Sequence, residues 1–299
     1  MPRIFCFGLG YCATRLNEAL VVDGWEVAGT KRSKIDLANV FLFDGRGPVE
    51  QTSTLKKTTH LLSSVPPSGG KDPVLQYNLS ELIALRDLEW VGYLSATSVY
   101  GDTSGEWVDE SFTPNPGTKR GIDRLSAEQE WLDFGVRAGV PVQIFRLSGI
   151  YGPGRSVFDR INAGLAKHIY APATYFSRIH VEDIIQVILA SISSPRPGAL
   201  YYLADDEPTT SSEIIKYGYA LMGRSPPPAI SLADSGLSEI GKTFYNCSFP
   251  TIGWGWMLFL MKYLVTSPSN HRSYLTRDKA ARDPRPLIVD GHHLLSILL

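Results

Sequence analysis

The stretch Ile4-Phe-Cys-Phe-Gly-Leu-Gly-Tyr-Cys-Ala13 decides the fold. Its first four residues form a short apolar run that is typical of a buried strand, and the residues after Tyr11 place small and apolar side chains at helical spacing. Between the two runs, Gly8, Gly10 and Ala13 satisfy the pattern G-x-G-x-x-A. A strand, a glycine turn and a helix in this order predict the opening of a parallel α/β sheet that binds a dinucleotide.

Each position of the glycine pattern has its own physical task. Gly8 permits a tight turn, Gly10 lets the backbone approach a pyrophosphate, and Ala13 allows close packing of the helix on the strand. The helix N-terminus adds free N–H groups and the positive end of its dipole, so Tyr11 and Cys12 are also expected at the cofactor site. The alternative is a purely structural strand, turn and helix.

Strands and helices alternate along the rest of the first half. Apolar runs predict five further strands, at 25–30, 40–43, 60–64, 90–95 and 142–146. Helical periodicity predicts helices over 11–22 and 123–138, and Asp23-Gly24 is typical of a glycine-capped helix end. This alternation predicts parallel pairing with right-handed crossovers, which is a Rossmann-type, doubly wound α/β sheet.

The sequence pattern divides the chain into three segments. Residues 1–154 form the predicted dinucleotide-binding domain, whose core continues into later segments. Residues 155–243 form a predicted small C-terminal lobe of the substrate-binding type, with helices over 179–193 and 211–222 and a strand over 200–203. Residues 244–299 are a divergent tail.

The tail contains an apolar run over 252–265. Because Lys262 interrupts it and a membrane span needs about 20 apolar residues, a core or interface helix is favoured over a membrane span. A tail that is foreign to the domain, produced by a change of translation frame in the gene, is the alternative.

The amino-acid composition indicates which classes of protein and partner to expect. The chain has 299 residues, of which 43% are hydrophobic and 20% charged, as in globular proteins. The net charge of −1 offers no general basic surface, so nucleic acid is not an expected partner. The three cysteines have no metal-ligand spacing, which predicts no metal site and a reducing compartment. Since no charged-then-apolar leader opens the chain, a cytoplasmic location is expected.

Three further stretches carry a family resemblance. They are Tyr93-Leu-Ser-Ala-Thr-Ser-Val-Tyr-Gly101, Arg120-Gly-Ile-Asp-Arg-Leu-Ser-Ala-Glu128 and Arg146-Leu-Ser-Gly-Ile-Tyr-Gly-Pro-Gly154. Together they resemble landmarks of the extended short-chain dehydrogenase/reductase superfamily, the NAD-dependent epimerases and dehydratases. The resemblance covers roughly residues 1–225. It implies a Rossmann-type fold, a dinucleotide cofactor and a small-molecule substrate, and it is compatible with a homodimer.

The catalytic triad of that family is replaced in this chain. The family has Ser or Thr, Tyr and Lys where this sequence has Ala96, Arg120 and Arg124. Ala96 has no polar atom to hold a substrate oxygen, and Arg120 cannot exchange a proton near neutrality because the guanidinium pKa exceeds about 12. Arg124 can still donate to the nicotinamide ribose, which the family's Lys binds.

Several alternatives remain open at this site. A one-residue bulge would bring Ser95 or Thr97 into the empty place. Tyr100 and Tyr151 are fallback proton donors, although both also fit structural roles in the family. The two arginines stand one helical turn apart, so either an anionic ligand bridges them or they form a solvated helix face.

The end of the second strand predicts which cofactor binds. An acidic residue there would bond a free ribose 2′-hydroxyl, but no carboxylate follows until Asp36. Thr30, Lys31 and Arg32 suit a 2′-phosphate instead, so NADP is preferred over NAD. The alternative is that the two cations are ordinary solvated loop charges.

Three more residues complete the expected cofactor site. The resemblance places Asp44 after the third strand and Ser64 after the fourth, where the family contacts adenine and ribose. Pro153 in the third landmark is also assigned to this site.

The sequence therefore predicts an NAD(P)-binding protein of the epimerase/dehydratase type with non-standard catalytic residues. As an enzyme it would move a hydride to or from nicotinamide at a polar substrate, which an anionic group would suit, with proton transfer by another group or water. The alternatives are a non-enzymatic NADP-binding sensor or interaction protein, and an inactive product of a decayed gene.

Overall fold

The computed structural model of the protein describes residues 1–172 and 174–237, which lie in one unit, Met1–Gly253. The predictions for the tail that begins at residue 244 lie outside the described residues. The strands are β1 (Arg3–Phe7), β2 (Glu26–Lys31), β3 (Val40–Leu42), β4 (His60–Ser63), β5 (Trp90–Ala96), β6 (Val142–Leu147), β7 (Gly149–Tyr151), β8 (Tyr175–Phe176), β9 (Arg178–His180), β10 (Leu200–Leu203) and β11 (Thr209–Thr210). The helices are α1 (Tyr11–Val22), α2 (Pro73–Ile83), α3 (Lys119–Ala138), α4 (Val157–Asn162), α5 (Val181–Ser193) and α6 (Ser211–Leu221).

Seven of these strands form one parallel sheet in the order β3-β2-β1-β4-β5-β6-β10. The order reverses between β1 and β4, and ligands of such sheets bind at the carboxyl ends of the strands at that reversal. The predicted Rossmann-type, doubly wound fold is confirmed. Two small sheets stand beside it, β7 with β9 and β8 with β11.

The core lies between the sheet and the helices. On one face, the side chains of β1, β4 and β5 pack against α2 and α3, around the fully buried rings of Phe5, Tyr93 and Trp131. Burial of each such side chain contributes about 1.5–3 kcal/mol relative to exposure. β10, which follows residue 154, is an edge strand of the main sheet, so the sheet includes a strand from the segment after that residue.

Two helix boundaries differ from the sequence prediction. α3 begins at Lys119 rather than at 123, because the Thr118 hydroxyl caps it by accepting from the Gly121 amide at 3.1 Å. α5 begins at Val181 rather than at 179, because Arg178–His180 pairs with β7 as a strand.

α2 and α4 were not predicted from the sequence. Asp72 caps α2 by accepting from the Val74 and Leu75 amides, and Pro73 occupies the first helical position. An acidic cap followed by proline is a recognised helix start, so the sequence carried the signal for α2. A capping box at Ser156 and Asp159 starts α4 in the same way.

Candidate active site

The glycine loop leaves β1 in a conformation that requires glycine. Gly8 has φ of +87°, and a Cβ there would lie 2.7 Å from the Ser64 hydroxyl. The Gly8 amide donates to the Thr30 hydroxyl at 2.9 Å, and the Ser64 hydroxyl donates to the Gly8 carbonyl at 2.6 Å. Thr30 and Ser64 therefore shape this loop, and their contacts with a cofactor stay predictions.

Gly10 faces open space. A Cβ at Gly10 would meet no protein atom within 4 Å, and no side chain caps α1, which begins at the next residue. The first N–H groups of a helix have no partners inside the helix, so this end can receive an anion. The Cys12 side chain is buried in the core, so only its backbone N–H remains to contact a ligand.

Tyr11 links the glycine loop to a distant part of the chain. Its hydroxyl donates to the Pro153 carbonyl at 3.0 Å, and the Arg155 guanidinium lies 5.7 Å from the centre of its ring. The fold thus brings the predicted residues Tyr11 and Pro153 together at one edge of the sheet.

The predicted selectivity residues lie at the same carboxyl edge. Lys31 ends β2 and is half-buried, Arg32 is exposed, and neither has an ion-pair partner among residues 1–172 and 174–237. The Phe43 amide donates to the Lys31 carbonyl at 3.0 Å, which places Asp44 beside this strand end. Asp44 is exposed, and its carboxylate accepts from the Arg46 amide at 2.9 Å.

Ala96, the predicted position of the triad Ser or Thr, lies at the end of a regular strand. β5 pairs with β6 in unbroken register as far as Ala96, so no bulge shifts a neighbouring hydroxyl into its place. Ser95 is buried and its hydroxyl donates to Glu128, away from the triad position. Thr97 begins a short 3-10 turn after the strand. The bulge alternative is therefore wrong.

Arg120 and Arg124, the arginines at the predicted Tyr and Lys positions, have different environments. Arg120 is exposed in the first turn of α3. Arg124 is only 8% exposed, its Nη1 donates to the Leu94 carbonyl at 3.0 Å, and its Nε has no partner. In the part of the chain that the structure describes, no carboxylate lies within ion-pair distance of Arg124. A buried cation without a counter-charge is costly, so an approaching anionic or hydroxyl group would be stabilised.

Tyr100 belongs to a closed buried network. The Arg146 guanidinium bonds the Glu128 carboxylate with a shortest distance of 2.7 Å, and both side chains are 4% exposed. The Tyr100 hydroxyl accepts from Arg146 at 2.9 Å and donates to the Asp109 carbonyl at 3.0 Å. Burial raises the pKa of Tyr100. Because Tyr100 is 1% exposed and its hydroxyl is engaged on both sides, it fits the structural role better than that of a proton donor.

Tyr151 lies in a more accessible cluster, which we call the Tyr151 cluster and define as Tyr151, Asp205 and His180. Burial, and then the neighbouring Asp205 carboxylate, raise the pKa of Tyr151. Burial raises the pKa of Asp205 to about 6, although the bond from Tyr151 lowers it. The edge of the His180 ring meets Tyr151 at 5.1 Å between ring centres.

Asp205 was missed by the sequence analysis. The sequence signal that could have predicted Asp205 is the pair of acidic residues that follows the apolar strand β10, since such positions fall at the carboxyl edge of a parallel sheet.

Within residues 1–172 and 174–237, no group of three or more His, Cys, Asp or Glu side chains could hold a metal ion. None of the helices described is long and apolar enough to cross a membrane.

Comparisons with known proteins agree on this architecture. No family model matches the chain. Protein YeeZ of Escherichia coli K12 is 27% identical over 257 residues, which are 80% of this chain and 91% of that protein. A candidate NAD-dependent epimerase/dehydratase from Methylobacillus flagellatus is 25% identical with a TM-score of 0.60, over 77% of this chain and 85% of that one.

A more distant structure shares the fold alone. This is the UDP-glucuronic acid 4-epimerase from Bacillus cereus in complex with NAD, which is 18% identical with a TM-score of 0.62, over 77% of this chain and 87% of that one.

A functionally unknown conserved protein from Silicibacter pomeroyi DSS shows a greater similarity. It is 38% identical with a TM-score of 0.77, and the match covers 84% of this chain and 89% of that one. The chain therefore belongs to the family of this Silicibacter pomeroyi protein, and it has the fold of the NAD-dependent epimerases and dehydratases.

Proposed function

We propose that this protein binds a nicotinamide dinucleotide at the carboxyl edge between β1 and β4 and acts as an oxidoreductase or epimerase on a polar small molecule. The observation that carries the proposal is the glycine loop, where Gly10 faces open space in front of an uncapped helix. That space and those free N–H groups suit a pyrophosphate.

The residues present fit the rest of such a cofactor. Arg124 has a buried Nε without a partner and no carboxylate beside it in the described part of the chain, so it would donate to the ribose near the nicotinamide. The bound nicotinamide would supply a hydride donor or acceptor. The protein's own contribution is then to position the substrate and to move a proton at its reacting oxygen.

We further propose that NADP is preferred over NAD. The cations Lys31 and Arg32 stand at the end of β2 without ion-pair partners among the described residues, and a 2′-phosphate would pair with both. The Bacillus cereus neighbour was solved with NAD, so the preference must come from the residues of this chain.

Calorimetry with NADP⁺ and NAD⁺ tests the site through Gly10→Asp. The new carboxylate would enter the space meant for the pyrophosphate, so we expect binding of both cofactors to be lost while the melting temperature is kept. Gly117→Asp is the matched control, since a Cβ at Gly117 also meets no atom within 4 Å and the residue is not part of the glycine pattern. Full affinity in a folded Gly10→Asp protein would refute the site.

A non-enzymatic NADP-binding sensor is the second candidate function. The observation that favours it is the absence of acid–base groups at Ala96 and at the exposed Arg120. Absorbance at 340 nm and proton NMR of the sugar, with bound NADP⁺ or NAD⁺ and UDP-glucose or UDP-glucuronic acid, separate the two proposals. Net reduction of the cofactor supports an oxidoreductase, and an epimerised sugar without net reduction supports an epimerase. Tight cofactor binding without either change favours the sensor. The buried free thiols of Cys6 and Cys12 support the proposal that either function operates in a reducing cytoplasm.

A further inference from the structure

We propose that Tyr151 and Asp205 form a proton relay that takes the place of the missing triad. Tyr151 would contact the substrate hydroxyl, and Asp205 would hold the proton that leaves it. This inference rests on the proposed function, because it assigns the acid–base step of that same site.

The first support is the geometry of the pair. Tyr151 ends β7 and pairs in register with His180 of β9, Asp205 follows β10, and the side chains of Tyr151 and Asp205 are close enough to interact although the residues are far apart in the chain. The Asp205 amide donates to the Arg178 carbonyl at 2.6 Å, which fixes the backbone that carries the carboxylate. Both residues are half-buried, so they are partly shielded from water and still accessible to a ligand.

The second support is the position of the pair beside the glycine loop. Gly152 directly follows Tyr151, and a Cβ at Gly152 would lie 2.7 Å from the Tyr11 hydroxyl and 3.3 Å from His180 Nε2. The Tyr151 cluster therefore adjoins Tyr11, the first residue of α1, which directly follows Gly10. A substrate held against a cofactor bound there would lie within reach of Tyr151.

The third support is the charge that surrounds Asp205. Two carboxylates face it, Asp183 of α5 and the adjacent Asp206, and both favour the protonated form of Asp205. The nearest cations and bases are Arg178, which acts on Tyr151, and His180, which acts on Asp183. The pKa of Asp205 is about 6, which suits a group that must take and give a proton near neutrality.

The proton step balances without ionising the tyrosine. In the oxidative direction the substrate O–H bond breaks, and its electron pair stays on the substrate oxygen. The proton passes to the Tyr151 oxygen while the original Tyr151 proton passes to an Asp205 carboxylate oxygen. Tyr151 is unchanged, Asp205 becomes a neutral acid that later releases its proton to solvent, and the substrate becomes an alkoxide ready to lose hydride. The raised pKa of Tyr151 is no obstacle, because a free tyrosinate never forms.

A titration tests the pair without any substrate. In protein labelled with ¹³C-aspartate, we expect the Asp205 carboxyl signal, assigned by its loss in Asp205→Asn, to titrate near pH 6. Tyr151→Phe removes a donor that stabilises the carboxylate, so the midpoint should rise above the wild-type value. Glu207→Gln, an exposed control nearby, should leave it unchanged. A midpoint near the ordinary aspartate value of about 4, or no response to Tyr151→Phe, would overturn the relay.

Kinetics then separate the relay from the proposed function. With UDP-glucose or UDP-glucuronic acid as the substrate, we expect kcat to rise with pH through about 6. Tyr151→Phe and Asp205→Asn should each lower kcat by about 10²–10⁴-fold and leave the cofactor Kd unchanged. Full turnover in Asp205→Asn would remove the relay and leave the function standing. A wild-type protein that binds no dinucleotide would instead refute the function.

Discussion

Two buried arginines, Arg146 of β6 and Arg124 of α3, differ in whether a carboxylate neutralises their charge. Arg146 donates three bonds to Glu128 and one to Tyr100, so its charge is neutralised within the protein. Arg124 makes one bond, to the Leu94 carbonyl, and has no carboxylate near it in the described part of the chain. The first guanidinium is a fixed part of the fold. The second retains donor capacity, and the sequence resemblance predicts a cofactor-binding role for it.

The difference between them follows from the cost of burying charge. An ion pair taken out of water is tolerated only when geometry and hydrogen bonds are nearly complete, as they are at Arg146. An arginine buried without a partner is destabilising by itself, and the chain tolerates Arg124 at that cost. The comparison predicts that changes at the first site affect stability and that changes at the second affect binding.

The largest effect is expected from Glu128→Ala. This change leaves Arg146 buried without its counter-charge and removes the partner of the Ser95 hydroxyl. Loss of one partner of a buried pair typically costs about 3–5 kcal/mol of unfolding free energy. Urea denaturation measures it, with the exposed Asp133→Asn of the same helix as a control that should change little. A loss of unfolding free energy no greater than that of the control would contradict the stabilising role assigned to the Arg146–Glu128 pair.

Arg124→Ala should weaken binding rather than stability. We expect the affinity for the dinucleotide to fall by about 1.5–3 kcal/mol, the range for a hydrogen bond that involves a charged group. The free energy of unfolding should stay the same or rise, because an unpaired buried cation is removed. Arg124→Lys should restore much of the affinity, since it keeps the charge. Calorimetry combined with urea denaturation checks both, and a strongly destabilised protein with normal binding would contradict our assignment.

Sequence reasoning was sufficient for the sheet but not for these partners. The apolar runs and the glycine pattern predict the strands of the main sheet because each is a local signal of burial and turn geometry. Arg146 contacts Glu128 and Tyr100, and Tyr151 lies beside Asp205. The residues of each contact are distant in the chain, so no local spacing predicts these contacts. The sequence resemblance predicts which residues stand at the triad positions, but the burial of Arg124 and the exposure of Arg120 depend on how α3 packs on β5.

A smaller effect is expected at the end of β2. Arg32 is exposed and Lys31 is half-buried, so solvent screens their interaction with a 2′-phosphate. Alanine at Arg32 should therefore reduce the preference for NADP over NAD by about 1 kcal/mol or less, and the double alanine variant should nearly abolish it. Calorimetry with both cofactors measures the ratio of the two affinities, and Lys34→Ala is an exposed control two residues beyond Arg32. A wild type without any preference would show that these cations are ordinary solvated charges.

Arg120→Ala should have the smallest effect, and it sharpens the contrast with Arg124 along one helix. Arg120 is exposed in the first turn of α3, where a cation meets the positive end of the helix dipole, so its removal should leave stability unchanged or slightly improved. Dinucleotide affinity should stay within about 0.5 kcal/mol of the wild type, since exposed charges contribute little. Any loss should concern an anionic substrate, and it should shrink at high salt because the charge is accessible to counterions. The affinities of Arg120→Ala for the dinucleotide and for an anionic substrate, measured at low and high ionic strength beside those of Arg124→Ala, test this prediction. If Arg120→Ala weakens cofactor binding as much as Arg124→Ala does, the two arginines act together and burial does not separate their roles.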